Sequence, residues 1–203
     1  MTKTKPNSVH SRTSLDNEYR LPHTERTLAE HRSLDVSLFQ WSSWIPTVTS
    51  TLVFIRRDQE VLLIDKKTGL GKGKVNGPGG KVESGESWTD CARREVREEL
   101  NIEVGSLTWG GELRFLMTDY PDILCHVFFA DHYQGTPIET REARPFWSPL
   151  SEIPYANMWV DDQYWLPRAL LGETILGLFS FEGEELLSSC VKRHPLKEPP
   201  FGT

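Results

Sequence analysis

The sequence predicts an α/β sandwich, a mixed β-sheet flanked by helices, and three observations carry that expectation. Apolar and β-branched runs of strand length recur along the chain, two stretches show helical patterning, and the order is strands, helix, strands, helix. Length agrees: 203 residues, 37% of them hydrophobic, can bury one sizeable core, so one domain with tails is expected.

Residues 1–48 read as an N-terminal extension, largely flexible because its hydrophobicity is low, with a short helix around "ERTLAEHR". It mixes acids with bases, unlike an organelle transit peptide, and has no apolar leader run. The domain is expected over 49–193. "TSTLVFI", the polar turn "RRDQ" and "EVLLID" read as a β-hairpin. "KKTGLGKGKVNGPGGK" holds too much glycine for a regular element and reads as a loop. Ser87 to Leu100 is helical by pattern, since Trp88, Ala92, Val96 and Leu100 recur at fours, and Asn101 stands where a left-handed C-cap is wanted. "LTWGGELRFLM", "ILCHVFFADHY" and "ARPFWSPL" read as further strands, parted by "TDYPD" and "QGTP". A second helix begins near "DDQYWLPRALLG" and stops at Gly172; "TILGLFSF" and "ELLSSCVKR" form a closing hairpin, and 194–203 are a Pro-rich tail.

Charge narrows the function classes. A net charge of −6 and a sequence pI of about 5.6 argue against a polybasic surface for a nucleic-acid polymer or a membrane, so an anionic ligand must be held locally or through a cation. Cys91, Cys125 and Cys190 lack C-x-x-C spacing and read as reduced, mostly buried thiols of a cytoplasmic protein. No apolar run approaches the roughly 20 residues of a spanning helix. A soluble protein is expected, and a monomer, since nothing demands a partner.

The chemistry concentrates in "GPGGKVESGESWTDCARREVREELNI". On a helix, Glu95, Glu98 and Glu99 share a face, where three like charges repel. A solvated acidic face offset by Arg93, Arg94 and Arg97 is the plain alternative. The glycine loop leading into the helix favours a divalent cation instead, which neutralises the repulsion and grips phosphate oxygens. Gly80, Glu86, Arg94, Glu95, Val96, Glu98, Glu99 and Ile102 fit the spacing Gly-x5-Glu-x7-Arg-Glu-U-x-Glu-Glu-x-Gly-U, with U aliphatic. The segment therefore resembles the Nudix box, departing from it only at Asn101, where the pattern has glycine.

The resemblance implies the Nudix fold and hydrolysis of a nucleoside diphosphate linked to another moiety. It implies Glu95 and Glu99 as principal metal ligands, Glu98 completing the site or helping to deprotonate water, the Gly79 carbonyl as a further ligand, and Arg94 paired with Glu86 to pin loop to helix. Mg²⁺ is the implied cation, with Mn²⁺ the alternative, and Glu142 matches a distant acidic residue that approaches the metals. His126 and His132 have no metal-like partners and read as structural.

From about Thr49 to Phe181 the chain resembles the MutT-type oxidised-purine nucleoside triphosphatases, which cleave 8-oxo-dGTP to the monophosphate and pyrophosphate in nucleotide-pool sanitation. "NGPGGK" matches the family's Asn-Gly-x-Gly-Gly-Lys, making Asn76 a base-binding residue. "MWVDDQYWLP" matches its base motif, putting Trp159, Asp161, Asp162 and Trp165 at the purine. Thr51, Lys66, Phe115 and Phe181 fall on pocket-lining positions of the family, whereas Leu70 replaces an aromatic and Leu124 a methionine. The aspartates also suit a plain role at a helix N-terminus. As a base reader, the pair can hold one proton, because adjacent buried carboxyls resist double ionisation, and so offer a donor beside an acceptor. Two rivals remain: a Nudix hydrolase of another nucleoside diphosphate derivative, and a non-hydrolysing nucleotide-binding Nudix module, which the retained carboxylates disfavour.

Overall fold

The computed structural model describes residues 34–199. The expected first hairpin is present: β1 (Val48–Arg57) and β2 (Glu60–Lys66) pair antiparallel across Asp58 and Gln59, with Asp58 at φ 48 closing the turn. The glycine loop returns through the two-residue strand β3 (Val75–Asn76) and runs beside β1, where the Thr51 amide donates to Gly80 O and the Val53 amide to Pro78 O. Gly79 is required by this approach, because a Cβ there would lie 2.0 Å from the Thr51 carbonyl oxygen.

Helix α1 (Trp88–Leu100) starts at Ser87, whose hydroxyl accepts from the Asp90 amide, and ends at Asn101, which adopts the expected left-handed conformation at φ 56. Its apolar stripe of Ala92, Val96 and Leu100 packs on Val53, Ile55, Leu62 and Ile64, on one face of the sheet. After β4 (Glu103–Val104) come β5 (Thr108–Met117), β6 (Ile123–Ala130), β7 (Tyr133–Gln134) and β8 (Ala143–Pro149). Helix α2 (Asp162–Leu170) sets Trp165, Leu166 and Ala169 into the other face, against Phe54, Leu113, Val127 and Phe179. Strands β9 (Ile175–Glu182) and β10 (Glu185–Arg193) form the closing hairpin.

The main sheet runs β10-β9-β5-β6-β1-β2-β3, with β8 pairing β2 off that path. It is mixed, since β1 with β6 and β5 with β9 are parallel and the other pairs antiparallel. One helix on each face makes it the α/β sandwich that the element order predicts. No helix among the described residues is long and apolar enough to cross a membrane.

Two differences concern the tails. From Leu34 on, the extension expected to be largely flexible up to residue 48 is attached to the domain. Ser180 Oγ donates to the Leu34 carbonyl, the Val36 amide donates to Ser188 Oγ, and Trp44 Nε1 donates to Asp122 Oδ2 at 2.8 Å. These anchors are side chains of distant strands and of the turn before β6, which a local composition rule does not register. The helix expected around "ERTLAEHR" lies outside the described residues. At the other end, His194 is buried with its ring edge-on to Trp109.

Candidate active site

A cavity of about 570 Å³ is lined by β1, the glycine loop, the sheet face under α2 and the acidic side of α1. Two acidic groups reach its wall, one carried by α1 from one face of the sheet and one by α2 from the other.

On α1, Arg94 is the hub. Its guanidinium donates to both Glu86 oxygens at 2.8 and 3.0 Å, to Glu95 Oε1 at 2.8 Å, to Glu98 Oε2 at 3.1 Å and to the Lys81 carbonyl. The hydrogen bond from Arg94 leads the forces that hold Glu86 below the usual carboxylate range. Burial pushes Glu95 up, with Arg94 pulling back. Gly80 leaves room for this carboxylate, since a Cβ there would lie 2.3 Å from Glu95 Oε1. Glu99 is fully buried and accepts from Lys66 Nζ at 2.8 Å and from the Gly79 amide at 2.9 Å. Burial raises its pKa, and Lys66 leads the opposing forces. Glu98 is exposed, and of the three carboxylates Glu95 lines the cavity while Glu98 and Glu99 do not, so they share a helix side but span the full range of burial.

Glu142 reaches the cavity on a fastened loop. Thr140 Oγ1 donates to the Glu99 carbonyl at 3.0 Å, Lys67 Nζ donates to Thr140 O at 2.6 Å, and the Lys67 amide donates to the Glu142 carbonyl. Cys91 lies beneath, 3.4 Å from Thr51 Oγ1, and burial pushes its thiol up to about 12, which keeps it protonated and inert.

On α2, Asp161 and Asp162 are each 3% exposed and both line the cavity. Asp161 stands at the N-cap and Asp162 in the first turn, as the plain alternative has it, but Asp161 makes no side-chain cap. Its Oδ2 instead accepts from Trp165 Nε1 at 3.2 Å, while Asp162 Oδ2 accepts from the Trp159 amide at 3.0 Å. Burial pushes Asp161 up to about 7, and burial followed by the neighbouring Asp161 charge pushes Asp162 up. Near neutral pH the pair therefore keeps a proton. Trp159, Phe115, Phe181, Asn76, Thr51, Lys66 and Leu70 also line the cavity.

Two expected pocket positions differ. Trp165 does not line the cavity; it is fully buried one helical turn behind Asp161 and supports that carboxylate. Leu124 faces away, because β6 alternates and presents Ile123 and Cys125 to the cavity instead. Met117 and Tyr120 line it as well, and sequence reading passed over them because apolar strand and turn residues carry no mark of a pocket.

The donors that could hold a cation are hard oxygens: Glu95, Glu98, Glu99, Glu142 and the Gly79 carbonyl. That chemistry fits a divalent ion of the Mg²⁺ type. Among the described residues no three His, Cys, Asp or Glu side chains form a preassembled metal cluster. The carboxylates of Glu95, Glu98 and Glu99 are turned to Arg94 and Lys66 instead, so a cation held there would exchange those contacts. Gly79 O itself accepts from Lys66 Nζ at 3.4 Å.

The NUDIX domain family matches residues 46–169. An oxidized purine nucleoside triphosphate hydrolase of Mus musculus is 42% identical over 140 residues, covering 68% of this chain and 90% of its own length. The protein of that name from Danio rerio is 41% identical over 138 residues, with 68% and 88% covered. Among solved structures, the MutT protein of Bacillus halodurans superposes with a TM-score of 0.64 at 24% identity, over 73% of this chain and 99% of its own, a likeness of fold.

Proposed function

Because the chain belongs to the NUDIX family, we propose that it hydrolyses oxidised purine nucleoside triphosphates, 8-oxo-dGTP foremost and 2-hydroxy-dATP as a second substrate, to the monophosphate and pyrophosphate. The observation that carries the reading is a buried carboxyl pair with a raised pKa on the same cavity as the acidic face of α1. The two relatives named as oxidized purine nucleoside triphosphate hydrolases support it.

Oxidation at C8 puts a hydrogen on N7, turning an acceptor on the purine edge into a donor. A carboxyl pair holding one proton presents one donor and one acceptor to such an edge, and moving the proton between Asp161 and Asp162 suits a differently oxidised purine. Trp159 supplies a stacking face, a contact worth on the order of 1–3 kcal/mol per base. Asn76 and the walls at Phe115 and Phe181 bound the base, and Leu70 leaves the rim aliphatic.

Glu95, Glu98, Glu99, Glu142 and the Gly79 carbonyl hold the cation in this reading. When bound, it neutralises charge on phosphate oxygens and makes water a usable nucleophile. Arg94 and Glu86 orient the carboxylates, and Lys66 balances Glu99 and turns toward phosphate as the site loads. Mg²⁺ is the proposed ion, Mn²⁺ the alternative, and a cytoplasmic monomer acting on free nucleotides the proposed setting.

The test is kcat/KM for 8-oxo-dGTP against dGTP with Mg²⁺, products resolved by chromatography, and again after chelation. A strong preference for the oxidised base, with monophosphate and pyrophosphate released only when cation is present, is expected. Equal rates for both nucleotides would return the chain to the Nudix hydrolases at large. Tight binding without turnover would make it a sensing module.

A further inference from the structure

Trp159 is only half-buried, so the stacking ring needs something to hold its plane. Its edge meets the glycine loop, where a Cβ on Gly71 would lie 3.1 Å from Trp159 Nε1, and it meets the Phe181 ring edge-on at 6.3 Å. The Lys74 ammonium stands over the ring 4.8 Å from its centroid. A lysine on a flexible stem does not by itself fix a partner. Here Glu184 accepts from Lys74 Nζ at 3.0 Å, from the turn between β9 and β10. That turn is itself tied down, since the Gly183 amide donates to Asp119 Oδ1 at 3.0 Å.

Resting on the nucleotide reading above, we propose that Lys74, pinned by Glu184, is a positioning residue of the base pocket: it clasps the glycine loop to the β9–β10 turn across one face of Trp159 and leaves the other face to the purine. Lys74 also favours the charged form of Asp162, against the burial and the Asp161 charge that oppose it. The clasp thus links stacking and edge reading, and it touches no reacting atom.

The test compares Lys74→Met, Glu184→Gln, the double variant and Lys74→Arg. Losing the cation over the ring should raise the KM for 8-oxo-dGTP about fivefold in Lys74→Met, with kcat within about twofold. Glu184→Gln should show a smaller rise, the double variant no more than Lys74→Met, and Lys74→Arg should restore the wild-type KM. Acrylamide quenching of Trp159, one of seven tryptophans, is isolated by subtracting the matching Trp159→Phe variant in each background. It should rise about twofold in Lys74→Met. Unchanged quenching in Lys74→Met overturns the clasp whatever the activity, and so does an effect of the double variant equal to the product of the two single effects. If the wild type turns over no nucleotide while quenching still responds to Lys74, the substrate reading fails and the clasp stands.

Discussion

Glu99 and Asp161 are buried almost equally, at 0% and 3% exposure, and each accepts hydrogen bonds from its surroundings, but the donors differ. Glu99 has a lysine ammonium and a backbone amide, and its helix neighbour Glu95 has a guanidinium. Asp161 has a neutral indole N–H, Asp162 a neutral amide, and each has the other. Burial raises all four, yet only the first group has a cation hydrogen-bonded within it to hold the charged form. The lesson is that the same desolvation serves two ends. Backed by cations, carboxylates remain ligands; backed by neutral donors, they retain a proton and become readers.

The comparison breaks most visibly at Glu99. Glu99→Gln keeps the shape and the bond to Gly79 but removes the charge, and kcat for 8-oxo-dGTP should fall at least about a hundredfold, as for loss of one group stabilising developing charge. Single-turnover assays at saturating Mg²⁺ check this. A rate within threefold of wild type would mean that Glu99 serves only to neutralise Lys66.

Asp161→Asn sharpens the other side. It fixes a donor where a proton otherwise comes and goes, so kcat/KM for 8-oxo-dGTP should change with pH differently in the two proteins. In the wild type the value should rise as pH rises through about 7, where Asp161 loses its proton and the pair is left holding one. In the variant that rise should vanish. At pH 8 the variant should lose about 10- to 100-fold on at least one of 8-oxo-dGTP and 2-hydroxy-dATP, the size of a misplaced paired hydrogen bond to a base edge. Superimposable profiles for both nucleotides, unchanged in the variant, would refute proton relocation.

The same substitution has a stability signature of opposite sign to that of a paired acid. The folded pKa of Asp161 is raised above its unfolded value, so its stabilising contribution is full below the unfolded value, near 3.9, and is lost as pH rises through about 7. Asp161→Asn should therefore raise Tm at pH 8 by roughly 2–4 °C relative to its effect at pH 5. Calorimetry at the two pH values decides it, and a gain at pH 5 alone would reverse the assignment.

How much of this was legible in the sequence depends on range. The helix of the Nudix box, its left-handed end and the pairing of Arg94 with Glu86 are local in sequence, and all are present. The sheet's strands were readable from composition, but their order was not, since β5 joins β9 over an intervening helix and β1 joins β6 across another. The Glu99 to Lys66 bond was hidden because it spans 33 positions, and the Lys74 to Glu184 bond because it spans 110. Trp165 was misplaced for a different reason: a motif gives its residues together, and only the helix phase separates the cavity wall from the residue behind it.

Asn101 gives the smallest test, and it separates the scaffold of the first acidic group from its charges. At φ 56 it occupies a backbone region that costs an ordinary residue roughly 1 kcal/mol and costs glycine almost nothing, though glycine also loses more freedom on folding. Its side chain makes no cap; the work is done by its amide, which donates to the Arg97 carbonyl at 2.8 Å and would do so equally from glycine. Asn101→Gly should thus shift Tm by about 1–3 °C upward and leave kcat and the pH profile unchanged, because no carboxylate loses its cation. A changed kcat with unchanged Tm would show instead that the end of α1 tunes the carboxylates, and the contrast with the Asp161 pair would then rest on helix geometry as well as on donor charge.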